Sequence, residues 1–424
     1  MVKGVLMHRL KGAVTAGLVA LLLLGSCDFR PLDHDRADAW YEFAVSCLDV
    51  FFIFRDRLPS DLYAFRSPQD LYAAVHEPFT VFLDPSEAYE RFADLTTQRG
   101  GIGIKIDSVA EGYVIEKVYP NTPGETAGLK ALDTILRVGD QSLEQLSIEK
   151  TIRALQGEIG TEALLRIKRG GNRINITVIR GVFMLPSVEV DSLDSTTAYI
   201  MLGGFYHETT VAGGSAAEFS DALDRTAWAK YTILDLRENR GGYIDQCVSI
   251  VGDLVPPETP IVRIHERTYS ISLDRGVTSD TVFLAGGTGK ASGRILYILV
   301  DDYTASASEM LVSCLREREQ VTVVGTNTYG KGRGQIMIDG PDSVLAVVTC
   351  MTISPASDTA ALYDSIGIVP DVSTGDSSAY DVALEMIGGL QLSKRRLQRG
   401  PHRPGRRDAD PFAAEPAAVF VRRP

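Results

Sequence analysis

Residues 295–309, ILYILVDDYTASASE, decide the fold, because an apolar run passes directly into a loop of small and acidic residues. The first six residues predict a central strand that is buried on both faces of a sheet. A helix-like segment at 306–318 follows the loop. A second unit of the same kind comes earlier in the chain, with an apolar run at 231–236 and a helix-like stretch at 244–254. From about residue 187 onward, the chain therefore has the alternating pattern of an α/β domain.

Two polar loops follow these strands, at residues 237–242 and 301–305. Ligands of α/β sheets bind at the carboxyl ends of the strands, so chemistry is expected in both loops. Ser306 stands where the second helix begins, beside unpaired N–H groups and the positive end of the helix dipole, which favour developing negative charge. The spacing Ser306-x-x-Glu309 also fits a capping box, in which the serine only satisfies backbone donors. On this segment alone, the capping box is the simpler interpretation.

Residues 328–335, TYGKGRGQ, form a second unusual loop, with three glycines in five positions and Lys331 between two of them. The pattern is not a Walker phosphate loop, because Gly332 follows Lys331 where that loop requires serine or threonine. Together with Ser306, the loop suggests a Ser–Lys catalytic pair. A lysine in water is protonated at neutral pH, since its pKa is about 10.4. Burial would lower the pKa of Lys331 and so supply a neutral amine as the base.

Both motifs resemble those of the carboxyl-terminal processing, or tail-specific, serine peptidases. In that family a Thr/Ser-Ala-Ser-Ala-Ser-Glu segment is followed by Thr-Phe/Tyr-Gly-Lys-Gly-x-x-Gln, and residues 367–371, GIVPD, match its closing Gly-Ile-x-Pro-Asp motif. The resemblance implies that Ser306 is the nucleophile and that Lys331, 25 residues later, is the general base. It also implies that Gln335 orients the lysine.

The loop at residues 235–242, DLRENRGG, is similar to the family's Asp-Leu-Arg-x-Asn-x-Gly-Gly motif. Arg240 stands in place of the usual proline, which affects the expected rigidity of the loop. The resemblance implies that backbone N–H groups of Gly241, Gly242 and Ala307 form the oxyanion hole.

Residues 98–184 have β-branched strands around a helical stretch and resemble a PDZ domain. Their glycine-rich start resembles the carboxylate-binding loop of such a domain. The residues with this implied peptide-binding role are Gly101, Ile102, Gly103 and Ile104. A second stretch at 121–133, NTPGETAGLKALD, resembles the Pro-x-x-x-Ala-Gly-Leu-x-x-Gly-Asp motif, with Leu132 in place of glycine. A PDZ loop binds a free C-terminus through successive backbone N–H groups while the peptide adds a strand to the sheet.

The resemblance implies a multidomain α/β fold. A crotonase/Clp-like α/β protease core at 185–390 would carry the PDZ-type β-rich domain as an insertion. Residues 37–97 are rich in helix formers and lack a catalytic signature, so they are predicted to be an N-terminal helical segment that serves packing. Residues 28–36 form a linker. The tail at 391–424 holds nine Lys/Arg, three Asp/Glu and five prolines, and it is predicted to be disordered.

The N-terminus has the layout of a secretion signal, with basic residues before an apolar run at 13–24. Twelve residues are too few to span a bilayer, which needs about 20. The sequence Leu-Gly-Ser-Cys that follows resembles a bacterial lipobox, which implies that residues 1–27 are a lipoprotein signal peptide and that Cys27 carries lipid. The expected location is a bacterial membrane, on its periplasmic side or at the cell surface. An ordinary signal peptide with an incidental cysteine is the alternative.

Charge and cysteine content restrict the partners. The net charge of −12 argues against nucleic acid. The other four cysteines lack metal-ligand spacing, and neither a metal nor a cofactor is expected. The predicted partners are protein or peptide substrates with free C-termini, and the membrane through the lipid anchor.

The sequence thus predicts a secreted, membrane-anchored serine endopeptidase that recognises protein C-termini through a PDZ domain. A catalytically inactive lipoprotein that binds peptide tails is the main alternative. Histidine catalysis is a weaker one, since His207 and His265 are the only histidines of the α/β region and neither lies in a loop with a carboxylate partner pattern. A crotonase-type acyl-CoA enzyme would share the implied fold, but secretion would separate it from coenzyme A.

Overall fold

The computed structural model describes residues 36–94, 98–356, 363–375 and 377–388. The predicted signal peptide with Cys27 and the basic tail therefore lie outside the described residues, as does the predicted linker except for its last residue. Among the helices that are described, none combines the length and the apolar character needed to cross a bilayer.

The described part of the N-terminal segment contains three α-helices, a short 3-10 helix at Arg55–Arg57 and one short strand. The α-helices and the strand are α1 (Arg36–Phe51), α2 (Pro68–Ala74), β1 (Val81–Leu83) and α3 (Pro85–Asp94). Helix α2 begins after Ser67, whose side chain accepts a hydrogen bond from the Asp70 N–H, and Pro68 occupies its first turn. The segment predicted as helical thus also holds a strand, because its pairing partner lies far away in the chain.

The next domain is an antiparallel sheet with two short helices. Its elements are β2 (Gln98–Gly101), β3 (Ile104–Val109), β4 (Gly112–Val118), α4 (Pro123–Thr126), β5 (Thr134–Val138), β6 (Gln141–Ser142), α5 (Ile148–Leu155), β7 (Glu162–Arg169), β8 (Asn172–Ile179) and β9 (Gly181–Met184). The strand order is β3-β4-β5-β7-β8, so β3 is an edge strand, and β2 pairs with β9 where the chain enters and leaves the domain. Along β7, Ala163, Leu165 and Ile167 alternate into the core, as expected of a half-buried strand.

The α/β core follows. Its elements are β10 (Val188–Ser192), β11 (Thr197–Leu202), α6 (Gly214–Arg225), β12 (Tyr231–Asp235), α7 (Ile244–Leu254), β13 (Pro260–Ser270), β14 (Arg275–Leu284), β15 (Ile295–Val300), α8 (Ala307–Leu315), β16 (Val321–Gly325), β17 (Arg333–Asp339), β18 (Leu345–Pro355), β19 (Val372–Ser373) and α9 (Ala379–Met386). One sheet has the order β10-β11-β12-β15-β16-β19, parallel except for β10. The other is antiparallel, with the order β1-β18-β13-β14 and β17 on β18.

The elements stack in layers. Helices α6, α7 and α8 pack between the two sheets in one large core, and α9 covers the outer face of the parallel sheet. Helices α1 and α2 cover the outer face of the antiparallel sheet through Phe43, Leu48 and Leu71. Since β1 also joins that sheet, the N-terminal segment is built into the core, and the domain between β2 and β9 is an insertion. The carboxyl ends of β12 and β15 are neighbours and present their loops together.

Candidate active site

Ser306 lies at the turn from β15 to α8 in a strained conformation. Its φ is +57° and its ψ is −118°, which is rare for any residue other than glycine. Strain of this kind clusters at active sites, where the surrounding structure holds it in place. The preceding loop supplies that support, because buried Asp301 accepts hydrogen bonds from the Glu238 and Tyr303 N–H groups and from the Thr304 side chain. Burial raises the pKa of Asp301 to about 6, although these bonds act to lower it.

Ser308 has a different environment. It is fully buried, and its Oγ donates to the Asn239 carbonyl oxygen at 2.9 Å. The same carbonyl accepts the Ala305 N–H at 3.1 Å. Ser308 therefore ties the serine loop to the loop at 237–242, whereas Ser306 is partly exposed.

The Gly-Gly pair packs against the start of α8. Gly241 has a φ of +99°, and a Cβ placed on it would lie 2.9 Å from both Ser306 Cβ and Ala307 N. Gly242 has a φ of +140° and approaches Phe205 in the same manner. A side chain at either position would be strained and would collide with backbone. The three residues predicted to supply the oxyanion hole are thus gathered around Ser306.

Asn239 fixes this loop from within. Its Oδ1 accepts the Gly241 N–H at 2.9 Å, and its Nδ2 donates to the Leu202 carbonyl oxygen at 2.9 Å. The Gly241 N–H is therefore engaged inside the loop. This leaves Gly242 and Ala307 as the better placed of the three predicted donors.

Arg240 occupies the position where the family has proline. Its guanidinium lies 5.4 Å from the centre of the Tyr303 ring, in a cation–π arrangement that joins the two loops. The departure from the motif thus provides a contact between the loops in place of a rigid ring.

Glu309 joins the serine to the lysine loop. Its fully buried carboxylate accepts the Ser306 N–H at 2.9 Å, as a capping box predicts. It also accepts the N–H groups of Gly330 and Lys331, each at 2.7 Å, and the hydroxyl of Thr328. Burial raises the pKa of Glu309, and the hydrogen bonds partly oppose this. The capping-box pattern predicted only the local bond, since the other partners lie 19 to 22 positions away.

Lys331 is buried, with 8% of its surface exposed. Its Nζ lies 4.7 Å from the centre of the Phe79 ring, which belongs to the N-terminal segment. Gly330, at a φ of +92°, lets the loop pack closely on the chain at Ile366 and Gly367, so the closing GIVPD motif supports the lysine loop. The backbones of Lys331 and Ser306 are held by the same carboxylate.

Gln335 lies on β17, next to an irregularity in the pairing with β18. Its Nε2 donates to Thr349 Oγ1 at 3.3 Å and to the Arg333 carbonyl oxygen at 3.4 Å. The amide nitrogen is therefore turned toward β18. The amide oxygen is the end of the side chain that remains to accept a bond from an amine, as the resemblance implies.

Both histidines of the α/β region have carboxylate partners in the folded chain. His207 Nε2 lies 2.8 Å from an oxygen of Asp245, and His265 Nδ1 lies 3.0 Å from Asp280. Each histidine thus has a carboxylate partner, supplied by a distant part of the chain or by the neighbouring strand. Among the described residues, no hydrogen bond joins either histidine to Ser306.

The predicted peptide-binding residues lead into the edge strand β3. All four are buried, and they are Gly101, Ile102, Gly103 and Ile104. Gly103 has a φ of +73°, and a Cβ on it would lie 2.3 Å from Thr122 Cβ, so only glycine fits. An edge strand preceded by such a loop is the arrangement to which a peptide adds as a further strand. Leu132 is exposed and keeps the left-handed backbone of the glycine it replaces, with a φ of +72°.

Metal and disulfide sites are not seen in the described part of the chain. No group of three or more His, Cys, Asp or Glu side chains there is arranged to hold a metal ion. The described cysteines are free thiols, namely Cys47, Cys247, Cys314 and Cys350.

Two family models match the chain. Residues 196–374 match peptidase family S41, and residues 114–169 match a PDZ domain. The first match contains Ser306, Lys331, Gln335 and the Gly-Gly loop, whereas the second begins after the glycine-rich loop at 100–103.

Curated relatives agree with these matches. The carboxy-terminal processing protease CtpA of Bacillus subtilis is 26% identical over 270 residues, which cover 62% of this chain and 53% of the relative. The carboxyl-terminal-processing protease of Synechocystis is 29% identical over 352 residues, or 77% of this chain and 78% of the relative. The matched region thus spans about half the length of the Bacillus protein and more than three quarters of the Synechocystis protein.

A solved structure shares the fold. A Bacteroides fragilis protein named as an S41 protease superposes with a TM-score of 0.54 at 18% identity, covering 86% of this chain and 96% of that one. That likeness shows the fold alone. The two family matches and the curated relatives show that the chain carries a domain of peptidase family S41 and a PDZ domain, and that it is similar to the carboxyl-terminal processing proteases.

Proposed function

We propose that this protein is a serine endopeptidase in which Ser306 is the nucleophile, Lys331 the general base and Gln335 the residue that orients the base. The observation that carries the proposal is the Glu309 carboxylate, which binds the backbone N–H groups of both Ser306 and Lys331. Ser306 and Lys331 are separated in the chain by α8 and β16, and one buried carboxylate thereby holds the backbones of both. The Gly-Gly loop lies against the same serine.

Each residue has a defined task in this mechanism. The neutral amine of Lys331 takes the proton of Ser306 Oγ while the oxygen attacks the scissile carbonyl carbon. Backbone N–H groups of Gly242 and Ala307 stabilise the oxyanion, a term that is often the largest in catalysis. The protonated amine then gives its proton to the leaving nitrogen. Water hydrolyses the acyl-enzyme, with Lys331 again accepting a proton.

Burial supports the proposed role of Lys331. Removing an amine from water disfavours its ammonium form, so a lysine that is only 8% exposed is a better candidate base than a lysine at the surface. Gln335 is the proposed acceptor that holds the amine, because its amide nitrogen is already engaged by β18.

Substrate recognition is assigned to the inserted domain. We propose that it binds protein C-termini, with the carboxylate at the loop 101–103 and the peptide backbone along β3. The free edge of β3 and the close packing of Gly103 on Thr122 support this assignment.

Incubation of the full chain with an unstructured protein that ends in an apolar residue tests the proposal. Mass spectrometry should detect internal cleavage products that increase with time. The matched control is the Ser306→Ala protein with the same substrate. Binding of the substrate without cleavage by the wild-type protein would instead favour the inactive peptide-binding lipoprotein.

Amidation of the substrate C-terminus is expected to slow cleavage. The amide removes a charged acceptor whose hydrogen bonds contribute about 1.5–3 kcal/mol. The rate at low substrate concentration should then fall about tenfold or more. Initial rates for matched acid and amide substrates provide the measurement. Equal rates would show that the inserted domain does not select a free C-terminus.

Lipidation of Cys27 is proposed for localisation, and it rests on the Leu-Gly-Ser-Cys sequence after a short apolar run. The Cys27→Ser variant is expected to leave the membrane fraction or to remain unprocessed, since one thiol carries the anchor. Fractionation and mass measurement of the mature protein check this. A wild-type protein without acyl chains, together with unchanged fractionation of the variant, would refute the anchor.

A further inference from the structure

A turn of the N-terminal segment, residues 77–80, lies on the loop that carries Lys331. The Phe79 ring covers the amine, with its centre 4.7 Å from Nζ. It also meets the Tyr329 ring edge to face, with 6.5 Å between the ring centres. Tyr329 donates its N–H to the Thr304 carbonyl oxygen, two residues before Ser306. The ring thus stands at the point where the serine loop and the lysine loop meet.

Glu77 holds this turn in place. Its side chain is completely buried, and its carboxylate accepts the Phe79 N–H at 3.1 Å and the Thr80 hydroxyl at 2.9 Å. The same carboxylate pairs with Arg333 at 3.1 Å and accepts the Thr349 hydroxyl. These last two contacts join positions separated by more than 250 residues.

The Glu77 contacts extend to the proposed orienting residue. Thr349 Oγ1, which donates to Glu77, accepts the amide nitrogen of Gln335 at 3.3 Å. The turn therefore contacts both the proposed base and the residue that orients it. The Phe79 ring covers the Lys331 amine, and the Glu77 carboxylate is linked to Gln335 through the Thr349 hydroxyl group.

We propose that Phe79 is a positioning residue that excludes water from the Lys331 amine, and that Glu77 fixes the ring in this place. The segment predicted to serve packing alone then completes the catalytic site. This inference rests on the proposed Ser–Lys mechanism, and it adds a residue that acts through the base.

The ring has two opposing effects on the amine. Its face attracts an ammonium group, whereas its bulk keeps out the water that would solvate that group, which favours the neutral amine. Exclusion of water is the stronger effect, because full desolvation shifts a lysine by several pH units. Removing the ring should therefore favour the ammonium form.

Charged groups around Lys331 come from several elements. Glu309 on α8 binds the Lys331 backbone N–H, and Asp364 and Glu77 both pair with Arg333 in the lysine loop. These groups are unchanged when only Phe79 is replaced. A comparison of Phe79 variants thus isolates the effect of the ring.

Two variants of the full chain test the proposal. Phe79→Ala admits water, while Phe79→Leu loses the aromatic face but keeps an apolar side chain over the amine. The first readout is the pH dependence of kcat/KM with the unstructured substrate. The second is the pH dependence of Lys331 acetylation by acetic anhydride, followed by mass spectrometry in the Ser306→Ala background, where no cleavage is needed.

Phe79→Ala is expected to move both pH midpoints upward by about one unit, which lowers kcat/KM about tenfold at pH values below the midpoint. Phe79→Leu should keep the wild-type midpoint or move it downward. Phe79 is half-buried, and thermal unfolding of both variants verifies that they fold.

The outcomes separate the two proposals. Wild-type cleavage together with an unchanged acetylation midpoint in Phe79→Ala would overturn the role of Phe79 and leave the Ser–Lys mechanism in place. The opposite result is also informative. If the wild-type protein does not cleave, but Phe79→Ala moves the acetylation midpoint of Lys331 in the Ser306→Ala background, the shielding of the amine is confirmed and only the peptidase proposal is overturned.

Discussion

The Ser306→Ala variant is expected to lose peptide cleavage, with a fall in kcat on the order of a million-fold, the scale at which removal of a serine nucleophile acts in other peptidases. The two neighbouring hydroxyl groups of the same loop are already engaged. Ser308 is fully buried and donates to the Asn239 carbonyl oxygen. Thr304 is also fully buried and bonds to Asp301 and to the Leu236 carbonyl oxygen. Cleavage of the unstructured substrate, followed by mass spectrometry, measures the loss.

Ser308→Ala is the matched control. It removes one hydrogen bond to a carbonyl oxygen that still accepts the Ala305 N–H, so the free energy of unfolding should fall by about 1 kcal/mol. Most of the activity should remain. Comparable turnover by wild type and Ser306→Ala would remove Ser306 from the mechanism.

The strands and helices around this serine could be predicted from local sequence. The apolar run of β15 and the helix α7 have the same bounds in the sequence and in the structure, because apolar periodicity is information carried by adjacent residues. Residues 335–353 alternate in polarity around Asp339 and Gly340, which predicts a β-hairpin, and the structure has this hairpin as the pair β17 and β18. Helix α8 is shorter than predicted and ends at Leu315.

Long-range pairings could not be predicted in this way. Strand β1 has only three residues, and it is a strand because Phe82 lies opposite Ala346 in β18. The pairs His207–Asp245 and Glu77–Arg333 likewise depend on how the chain returns to itself. Neither pair has a fixed sequence spacing that would signal it.

Two departures from the family motifs show a second limit of prediction from sequence. Leu132 replaces a glycine, yet it adopts the left-handed conformation that glycine would prefer. Two backbone hydrogen bonds hold it there, from the Leu132 N–H to the Ile115 carbonyl oxygen and from the Ile115 N–H to the Asp133 carbonyl oxygen. Arg240 replaces a proline, and its guanidinium contacts Tyr303. In both cases the sequence identified the position, and the structure determined the conformation or contact that resulted.

The sequence located the proposed catalytic residues but missed the groups that hold them. Ser306, Lys331 and Gln335 are recognisable because glycine-rich loops and fixed spacings are local patterns. Glu309 looked like an ordinary cap, and its bonds to Gly330 and Lys331 became visible only in the folded chain.

The Lys331→Arg variant is expected to be inactive, although it keeps the positive charge. Arginine cannot be deprotonated at any usable pH, so it cannot take the proton of Ser306. Loss of a general base costs on the order of 10²–10⁴ in rate, and here the same residue is also the proposed proton donor to the leaving group. Wild-type kcat/KM should rise with pH, since the neutral amine is the active form, and the variant should lack this rise.

A purely structural role for Lys331 predicts a different result. If the amine only stabilised the loop, Lys331→Arg would lose stability together with activity, and thermal unfolding measured beside turnover separates the two cases. Gln335→Ala should reduce the rate less than Lys331→Arg, because it removes a bond to the amine and leaves the amine itself. The loop is otherwise anchored by the Lys331 N–H on Glu309, which the substitution does not change, so an inactive but stable arginine variant is the expected outcome. An arginine variant that cleaves peptide at the wild-type rate would exclude Lys331 as the base.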